Sequence, residues 1–260
     1  MKRLLVAVMF LTRIPGPSTW EVGAVEVGHS TAFFPLVGAA IGAIQWCLLW
    51  AVVVIAGHVK QVSARPVALP ASVLSILITA AAVWLTGALH LDGIADMADG
   101  FGGGGTREDV LRIMRDHRIG SFGAVALILV LALKFASIAS LIDHGKALPY
   151  LVIAPGLARG SMVALGFFLP YARSAEGGLG GSFQYVGRFE LLLSSGTALV
   201  LAFLAGWRRG GVCVLVTLLA SAWNAWRCMR RIGGITGDTL GANSEICEAL
   251  ILATGAILSP

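Results

Sequence analysis

Long apolar runs separated by short polar segments dominate the chain. A helix of about 20 apolar residues crosses the hydrocarbon core of a bilayer. On that criterion the pattern predicts membrane spans over residues 31–57, 67–89, 121–142, 147–170, 190–207 and 211–226. A further run, 246–258, is short enough for a half-span or a re-entrant helix. We therefore expect an all-α, polytopic helix bundle in the membrane with about seven spans, within a range of about six to eight.

The first residues resemble a signal peptide, with Met1-Lys2-Arg3 followed by the apolar stretch Leu4–Leu11. The next residues, Thr12–Pro15, contain no small-residue cleavage site. This segment is therefore predicted to be an interfacial or half-buried helix that stays on the protein. No repeat of 20–50 residues and no low-complexity linker is visible. Residues 1–260 are expected to form a single membrane domain.

Composition agrees with a membrane protein and excludes several other classes. The chain has 260 residues, of which 57% are hydrophobic and 13% are charged, against about 25% charged residues in soluble domains. Its mean hydropathy is +0.84. A soluble globular enzyme could not bury this much apolar surface, and a disordered chain has the opposite composition. A β-barrel alternates apolar and polar residues, which this sequence does not do.

The basic residues predict the orientation in the membrane. The net charge is +5. With seven spans, one side holds the N-terminus and the segments near 90–120, 171–189 and 227–245. These segments contain twelve basic residues. The opposite side holds five basic residues: Lys60, Arg65, Lys146, Arg208 and Arg209. Cytoplasmic loops carry the excess of Lys and Arg, so the first side is predicted to be cytoplasmic. Topology thus explains the positive charge, and no nucleic-acid partner is expected.

Three aspartates form the main polar feature of the sequence. Asp92, Asp96 and Asp99 lie at spacings of four and three residues, which places them within about 60° of one another on a helix. Carboxylates this close repel one another unless a cation lies among them. Bare carboxylates without His or Cys suit a hard cation such as Mg²⁺ or Mn²⁺. The alternative is a solvated acidic helix end, although acids at a membrane span are usually functional.

A glycine-rich segment and a basic segment follow. The four glycines Gly102–Gly105 predict a mobile loop or a simple spacer. Thr106 and Asp109 form a capping box that predicts the start of a helix. This helix is expected to carry a basic ridge suited to phosphate oxygens, with topology as the alternative explanation. The ridge consists of Arg112, Arg115 and Arg118.

A second polar segment, Gly233–Glu245, lies on the same predicted side of the membrane. Its Asp238 is expected to approach Asp92 and Asp96. Arg159, between two apolar stretches, is either an anion site or a partner for another helix. His90 is interpreted as a core histidine in preference to a residue supporting the aspartates.

These residues favour a Mg²⁺-dependent membrane enzyme that acts on a pyrophosphate-linked substrate. The rival interpretation is a cation- or proton-coupled transporter, in which acids within the membrane form the pathway. The enzyme is favoured because the acids cluster at one end of the spans beside arginines. No inverted repeat typical of transporters is visible either.

Five motifs closely resemble the cobalamin synthase family, also called adenosylcobinamide-GDP ribazoletransferases, and the resemblance covers nearly the whole chain. The paired patterns HLDGxADxADG and RDxRIGxFG are highly specific to that family. The D-x-x-D-G-x-x-A-R opening of the CDP-alcohol phosphatidyltransferases, the alternative enzyme family, is absent. The motifs are FLTRIPGP, FFPLVGAAIGA, GALHLDGIADMADGFGGG, VLRIMRDHRIGSFG and GGITGDTLGANSEICE.

The resemblance implies an enzyme of late cobalamin biosynthesis in the cell inner membrane, with its active site facing the cytoplasm. A hydroxyl of α-ribazole, or of its 5′-phosphate, would attack the phosphorus bound to cobinamide in adenosylcobinamide-GDP, and GMP would leave. The product would be adenosylcobalamin or its 5′-phosphate. Besides these substrates and the bilayer, other membrane proteins of the pathway or a second copy of the chain are candidate partners.

The resemblance also suggests roles for the polar residues. Mg²⁺ would be held by Asp92 and Asp96, with Asp99 as a third ligand. Asp99 or Asp238 would accept the proton of the attacking hydroxyl. The phosphates would be bound by Arg112, Arg115, Arg118 and Arg159.

Overall fold

The computed structural model describes residues 1–17, 19–63, 69–116, 118–173 and 179–259. The predicted start of the second span at 67–68, Arg65 of the basic-residue count and His117 of the RDxRIGxFG motif lie outside this range. The described residues are helical apart from turns and one isolated bridge between Tyr171 and Ile235. The helices are α1 Lys2–Leu11, α2 Ala24–Ser30, α3 Phe34–Ser63, α4 Ala71–Thr86, α5 Leu89–Gly103, α6 Arg107–Ile113, α7 Ser121–Asp143, α8 Ala147–Phe168, α9 Arg188–Ala202, α10 Trp207–Ile232 and α11 Gly237–Leu258.

The predicted all-α membrane bundle is confirmed. Among the described residues, six helices are long and apolar enough to cross a membrane, and the count is seven when α4 and α5 are taken together as one bent span. Helices α8 and α11 form the centre of the bundle. In their most apolar windows 72% and 67% of the residues are buried, against 28% or less in the other candidate spans. The other four of these six helices therefore leave most of their apolar residues on the outside of the bundle, where the lipid of a membrane would lie.

Small residues let α3 pack closely on α8. A Cβ atom at Gly38 would collide with the carbonyl oxygen of Pro155, and one at Gly42 would collide with that of Leu151. Interfaces between membrane helices use small residues in this way, because packing replaces the hydrophobic effect there.

The predicted span 67–89 is not one straight helix. The chain turns by 89° between α4 and α5, at Gly87 with φ 65° and Ala88 with φ 60°. The amides of these two residues bond to the carbonyls of Trp84 and Val83, which closes the last turn of α4. A glycine in the left-handed conformation commonly ends a helix in this way. The corner turns α5, with its aspartates, away from the direction of α4.

The last helix is longer than the sequence suggested. We expected a short helix at 246–258 after a polar loop at 227–245, but α11 begins at Gly237 and the connection from α10 is only 233–236. The hydroxyl of Thr236 accepts the amide of Thr239 at 3.2 Å and caps the helix. The polar residues Asn243 and Glu245 are buried against other helices. Their polarity therefore reflects contacts inside the bundle and not a loop.

The segments predicted to share one side meet at one end of the bundle. Arg107 donates to the carbonyls of Ile232 at 2.8 Å and Ala172 at 2.7 Å. The amide of Ala172 donates to the carbonyl of Ile235 at 2.7 Å. One arginine thus connects the region after α5 with the segments after α8 and α10.

The N-terminal helix is held against the same assembly. Ala7 and Leu11 of α1 are fully buried. The buried carboxylate of Glu190 on α9 lies 2.9 Å from Nδ1 of His29 and 3.6 Å from the guanidinium of Arg3. Both α1 and α2 are therefore linked to α9 by one acid.

Candidate active site

Helix α5 carries the three predicted aspartates at different depths. Asp92 is exposed, Asp96 is half-buried and Asp99 is buried. The carboxylates of Asp92 and Asp96 have no hydrogen-bond or ion-pair partner among the described residues. Their charges interact with each other and with those of Asp238 and Arg173. Two unpaired carboxylates of like charge make this face of α5 strongly attractive to a cation.

Asp99 has different surroundings. Its two oxygens accept the backbone amides of Gly120 at 2.7 Å and Gly123 at 2.8 Å. These amides belong to the N-terminus of α7, where free N–H groups and the helix dipole favour a negative charge. The structure thus places Asp99 as a link between α5 and α7, while Asp92 and Asp96 remain without partners.

Asp238 lies in the first turn of α11 and pairs with a residue that the sequence had not singled out. Its Oδ2 is 2.8 Å from Nη2 of Arg173, and the two side chains are 25% and 12% exposed. Arg173 lies two residues after Tyr171, whose segment is held by the bridge to Ile235. Burial raises the pKa of Tyr171 above its ordinary value, so its hydroxyl stays protonated at neutral pH.

Two glycines bring α5 and α11 together. A Cβ atom at Gly93 would lie 2.6 Å from the carbonyl oxygen of Asp238, and one at Gly241 would lie 3.2 Å from Cα of His90. Position 93 has no room for a larger side chain, and position 241 is tight. The close crossing explains why Asp238, far away in sequence, lies beside the aspartates of α5.

Two cavities of about 250 Å³ flank Asp92. The first, which we call the inner cavity, is lined by Asp92, His90, Tyr171, Arg173 and Asp238 together with apolar side chains. The second, the outer cavity, contains Asp92, Asp96 and Arg118 and is otherwise aliphatic. Because Asp92 lines both cavities, its carboxylate can contact two ligands at the point where they meet.

His90 is buried, as expected for a core histidine, but it also borders the inner cavity. It is 3% exposed. Neither ring nitrogen has a hydrogen-bond partner among the described residues. Buried polar groups are normally hydrogen-bonded, so an unpaired imidazole in a cavity wall is suited to contact a ligand.

The expected basic ridge does not form one helical face. Helix α6 ends at Ile113, and the carboxylate of Asp116 accepts the amide of Arg118 at 3.1 Å. This local bond, two residues apart, competes with helix formation. Arg115 and Arg118 therefore lie in the turn beyond the helix, while Arg112 lies on it.

The three arginines have different partners. Arg112 binds the carboxylate of Asp109 at 2.9 Å, and this hydrogen bond lowers the pKa of Asp109. The exposed Arg118 binds Asp116 at 2.9 Å. The charge of Arg115 acts on Tyr171, which lines the inner cavity.

The glycine-rich segment is better ordered than predicted. Helix α5 continues to Gly103. A Cβ atom at Gly102 would lie 2.6 Å from the ring of Phe122, and one at Gly104 would lie 2.6 Å from Cγ2 of Val110. These glycines permit close packing around the end of α5. The predicted cap at Thr106 is confirmed, since its Oγ1 accepts the amide of Asp109 at 3.1 Å.

Arg159 lies in the interior, in a cluster of buried charges. It pairs with Glu248 of α11. Lys134 of α7 binds the same Glu248 at 2.7 Å and Glu245 at 2.9 Å. Two cations and two carboxylates balance the charge among three helices, which matches the interhelical alternative for Arg159. The cluster is close enough for its charges to act on His90.

A family model described as cobalamin-5-phosphate synthase matches residues 3–256. The chain belongs to the cobalamin-5-phosphate synthase family. A relative from Syntrophobacter fumaroxidans, named adenosylcobinamide-GDP ribazoletransferase, is 42% identical over 257 residues, which cover 97% of each chain. A protein of the same name from Pseudomonas paraeruginosa is 40% identical, with 99% of this chain and 98% of the relative covered. No solved structure matches the chain.

Within this member of the cobalamin-5-phosphate synthase family, the donor set limits how a metal could bind. Among the described residues, no group of three His, Cys, Asp or Glu side chains is arranged to hold a metal ion. Mg²⁺ is commonly bound by one or two carboxylates, with waters and substrate phosphates completing its shell. The unpaired carboxylates of Asp92 and Asp96 fit that arrangement. Both oxygens of Asp99 accept backbone amides, and Oδ2 of Asp238 binds Arg173.

Three residues that line the inner cavity were missed or undervalued by sequence reasoning: Tyr171, Arg173 and His90. The first two lie in a connection with few local signals, and contacts with residues distant in sequence, such as Ile235 and Asp238, bring them to the site. For His90 the available signal was its position two residues before Asp92, on the helix that carries the acids.

Proposed function

We propose that this protein transfers the cobinamide-phosphate moiety of adenosylcobinamide-GDP to α-ribazole or its 5′-phosphate. The products are GMP and adenosylcobalamin or its 5′-phosphate. Family membership and the shared name of the relatives support a transferase of this kind. The observation that carries the proposal is structural. The carboxylates of Asp92 and Asp96 on α5 have no partner and lie near the guanidinium of Arg173, and Asp92 lines both the inner and the outer cavity.

In the proposed reaction, a ribazole hydroxyl oxygen forms a new bond to the phosphorus attached to cobinamide. The bond between that phosphorus and the bridging oxygen breaks, and this oxygen leaves with GMP. The hydroxyl proton passes to a base. Both Asp238 and Asp99 are candidates for this base, and Asp238 faces the inner cavity.

Mg²⁺ is the proposed cofactor, and when bound it would neutralise the diphosphate and its leaving group. Asp92 and Asp96 are proposed to hold it. Arg173, which donates one guanidinium N–H to Asp238, lines the inner cavity, where its remaining donors would orient the ribazole substrate. Arg118, which lines the outer cavity, and Arg115, whose charge acts on Tyr171, would contact phosphates of the donor. Arg112 and Arg159 line neither cavity and are paired with Asp109 and Glu248.

We also propose that the protein is a multi-pass protein of the cell inner membrane with this site at the cytoplasmic face. The supporting observation is that the segments richest in arginine gather at the end of the bundle that holds Asp92. A site at that end is accessible to water-soluble nucleotide substrates.

Turnover by the purified, detergent-solubilised protein tests this function. Incubation with adenosylcobinamide-GDP, α-ribazole and Mg²⁺ should release GMP at the rate at which the corrinoid product forms. Release of GMP without a corrinoid–ribazole product would indicate hydrolysis and would contradict the transfer.

The carboxylates provide a sharper prediction. Asp92→Asn and Asp96→Asn should each abolish turnover without lowering the amount of protein in the membrane, because neither side chain supports another residue. GMP release is measured across a Mg²⁺ titration. A variant with near wild-type activity at limiting Mg²⁺ would remove that residue from the proposed metal site.

A further inference from the structure

The inner and outer cavities have similar volumes and different walls. Each measures about 250 Å³, and Asp92 lines both. Ligand pockets in proteins typically span about 300–1,000 Å³, so each cavity is large enough for only a small ligand or part of a large one. A nucleoside is of that size, but a complete corrinoid nucleotide is not.

The inner cavity combines aromatic and polar walls. Phe10, Phe183 and Tyr171 contribute three aromatic rings, and Met162 adds a flexible apolar contact. Phe10 and Phe183 lie with their ring centroids 6.3 Å apart at 67°. Such walls suit a flat aromatic base.

The polar wall of the inner cavity contains buried nitrogens without partners. Both ring nitrogens of His90 and Nε of Arg173 lack hydrogen-bond partners in the described part of the chain. A neutral imidazole offers one donor and one acceptor, and the guanidinium adds a further donor. These groups match the hydroxyls of a sugar, which both donate and accept.

The outer cavity lacks these features. Its walls are Asp92, Asp96, Arg118 and aliphatic side chains, without an aromatic ring. The side chain of Arg118 is 88% exposed, so this cavity lies at the surface, where a large ligand can extend into solvent. Two carboxylates and one arginine suit a metal-bound diphosphate.

We propose that the inner cavity binds the aromatic nucleoside acceptor and that the outer cavity receives the diphosphate of the donor. The reacting phosphorus then lies beside Asp92, where the cavities meet, and the corrin ring remains outside. This assignment rests on the proposed function. It makes His90 a substrate-binding residue that hydrogen-bonds the sugar of the acceptor.

Two exposed residues allow each cavity to be filled separately. Leu89 lines the inner cavity and is 44% exposed, and Ile119 lines the outer cavity and is 59% exposed. Leu89→Trp should raise KM for α-ribazole by at least about tenfold, the scale on which pockets discriminate small groups, with KM for the donor little changed. Ile119→Trp should show the opposite pattern. Ile257→Trp, at a residue that is 76% exposed and lines neither cavity, is the matched control.

Direct binding separates this assignment from the proposed reaction. Binding of α-ribazole to the detergent-solubilised protein is measured by equilibrium dialysis, without donor or Mg²⁺. The wild type and Ile119→Trp should bind, and Leu89→Trp should not. His90→Leu has a side chain of similar volume but without nitrogens. Its affinity for α-ribazole should fall about tenfold, a typical effect of removing a hydrogen bond to a ligand. This variant tests the inner cavity if Leu89→Trp does not accumulate.

The outcomes are distinguishable. Selective loss of binding in Leu89→Trp, with no GMP released by the wild type, would support the cavity assignment and contradict the transfer reaction. The assignment would be overturned if the wild type turns over but Ile119→Trp is the variant that raises KM for α-ribazole. It would also be overturned if both tryptophan variants raise that KM equally. Unchanged ribazole affinity in His90→Leu would also overturn it.

Discussion

Asp92 and Asp99 are seven residues apart on the same helix, yet their surroundings differ. Two amides from the start of α7 hold the carboxylate of Asp99, whereas Asp92 faces two cavities without a partner. Sequence spacing predicted a shared helical face for the acids of α5, and that face forms. Spacing could not show that backbone amides at the start of α7 would hydrogen-bond the carboxylate of Asp99.

Substitution of Asp99 should therefore affect stability first. Asp99→Ala would leave the amides of Gly120 and Gly123 without their acceptor, and the loss at the buried Gly123 would cost about 1–3 kcal/mol. We expect the unfolding temperature in detergent to fall by several degrees, with a smaller fall for Asp99→Asn, which keeps an acceptor oxygen. Glu108→Ala, which removes only an exposed surface pair, is the control. An Asp99→Asn variant with wild-type stability and no activity would assign Asp99 to catalysis instead.

Arg115 and Arg112 offer a second comparison between neighbouring residues. Arg115→Ala should lower kcat/KM for the GDP-linked donor by roughly ten- to a hundredfold, since a hydrogen bond to a charged group contributes about 1.5–3 kcal/mol. Arg115→Lys should restore only part, because Lys keeps the charge but lacks the planar fork. Arg112→Ala should change kinetics little, since Arg112 is 73% exposed and bound to Asp109. Full recovery in the Lys variant would indicate that Arg115 serves topology alone.

At the scale of helices, the crossing of α5 and α11 assembles the site. Apolar length predicted most of the spans, because the bilayer sets the length of a spanning helix. The corner at Gly87–Ala88 was missed because those residues are as apolar as the run around them. The start of α11 was missed for the opposite reason: its polar residues are buried and paired, as Glu245 is with Lys134. Hydropathy does not distinguish a buried polar residue from one in a loop.

The glycine at this crossing has a testable role. A Cβ atom at Gly93 would lie 2.6 Å from the carbonyl oxygen of Asp238, so Gly93→Ala must push the two helices apart. Alanine favours helices over glycine by about 1 kcal/mol, so a loss of function could not be attributed to helix propensity. We expect GMP release to fall sharply while the protein still reaches the membrane.

Gly103→Ala is the matched control for that variant. It lies on the same helix, and its added Cβ would meet only Cδ1 of Ile113, at an ordinary 3.6 Å. Activity is measured together with the amount of protein in the membrane. Equal activity in Gly93→Ala and the wild type would show that the site does not depend on this close crossing.

At the scale of the whole molecule, two groups of charged residues have different roles. Lys134, Arg159, Glu245 and Glu248 neutralise one another inside the bundle. Breaking such a buried pair leaves an uncompensated charge, so this group is suited to fix the arrangement of α7, α8 and α11. The arginines of the second group gather at one end, where Arg107 and Arg231 bind backbone carbonyls.

This division gives a prediction about topology. The end that holds Asp92 should face the cytoplasm, because loops rich in Lys and Arg are retained there. In a background without the four native cysteines, Thr106→Cys marks this end and His144→Cys marks the opposite end, and both positions are exposed. A membrane-impermeant maleimide applied to intact cells with a permeable outer envelope should label His144→Cys only. Thr106→Cys should become reactive once the inner membrane is opened. Labelling of Thr106→Cys in intact cells would place the site outside the cytoplasm, away from a cytosolic supply of nucleotide substrates, and would contradict the orientation on which the proposed reaction depends.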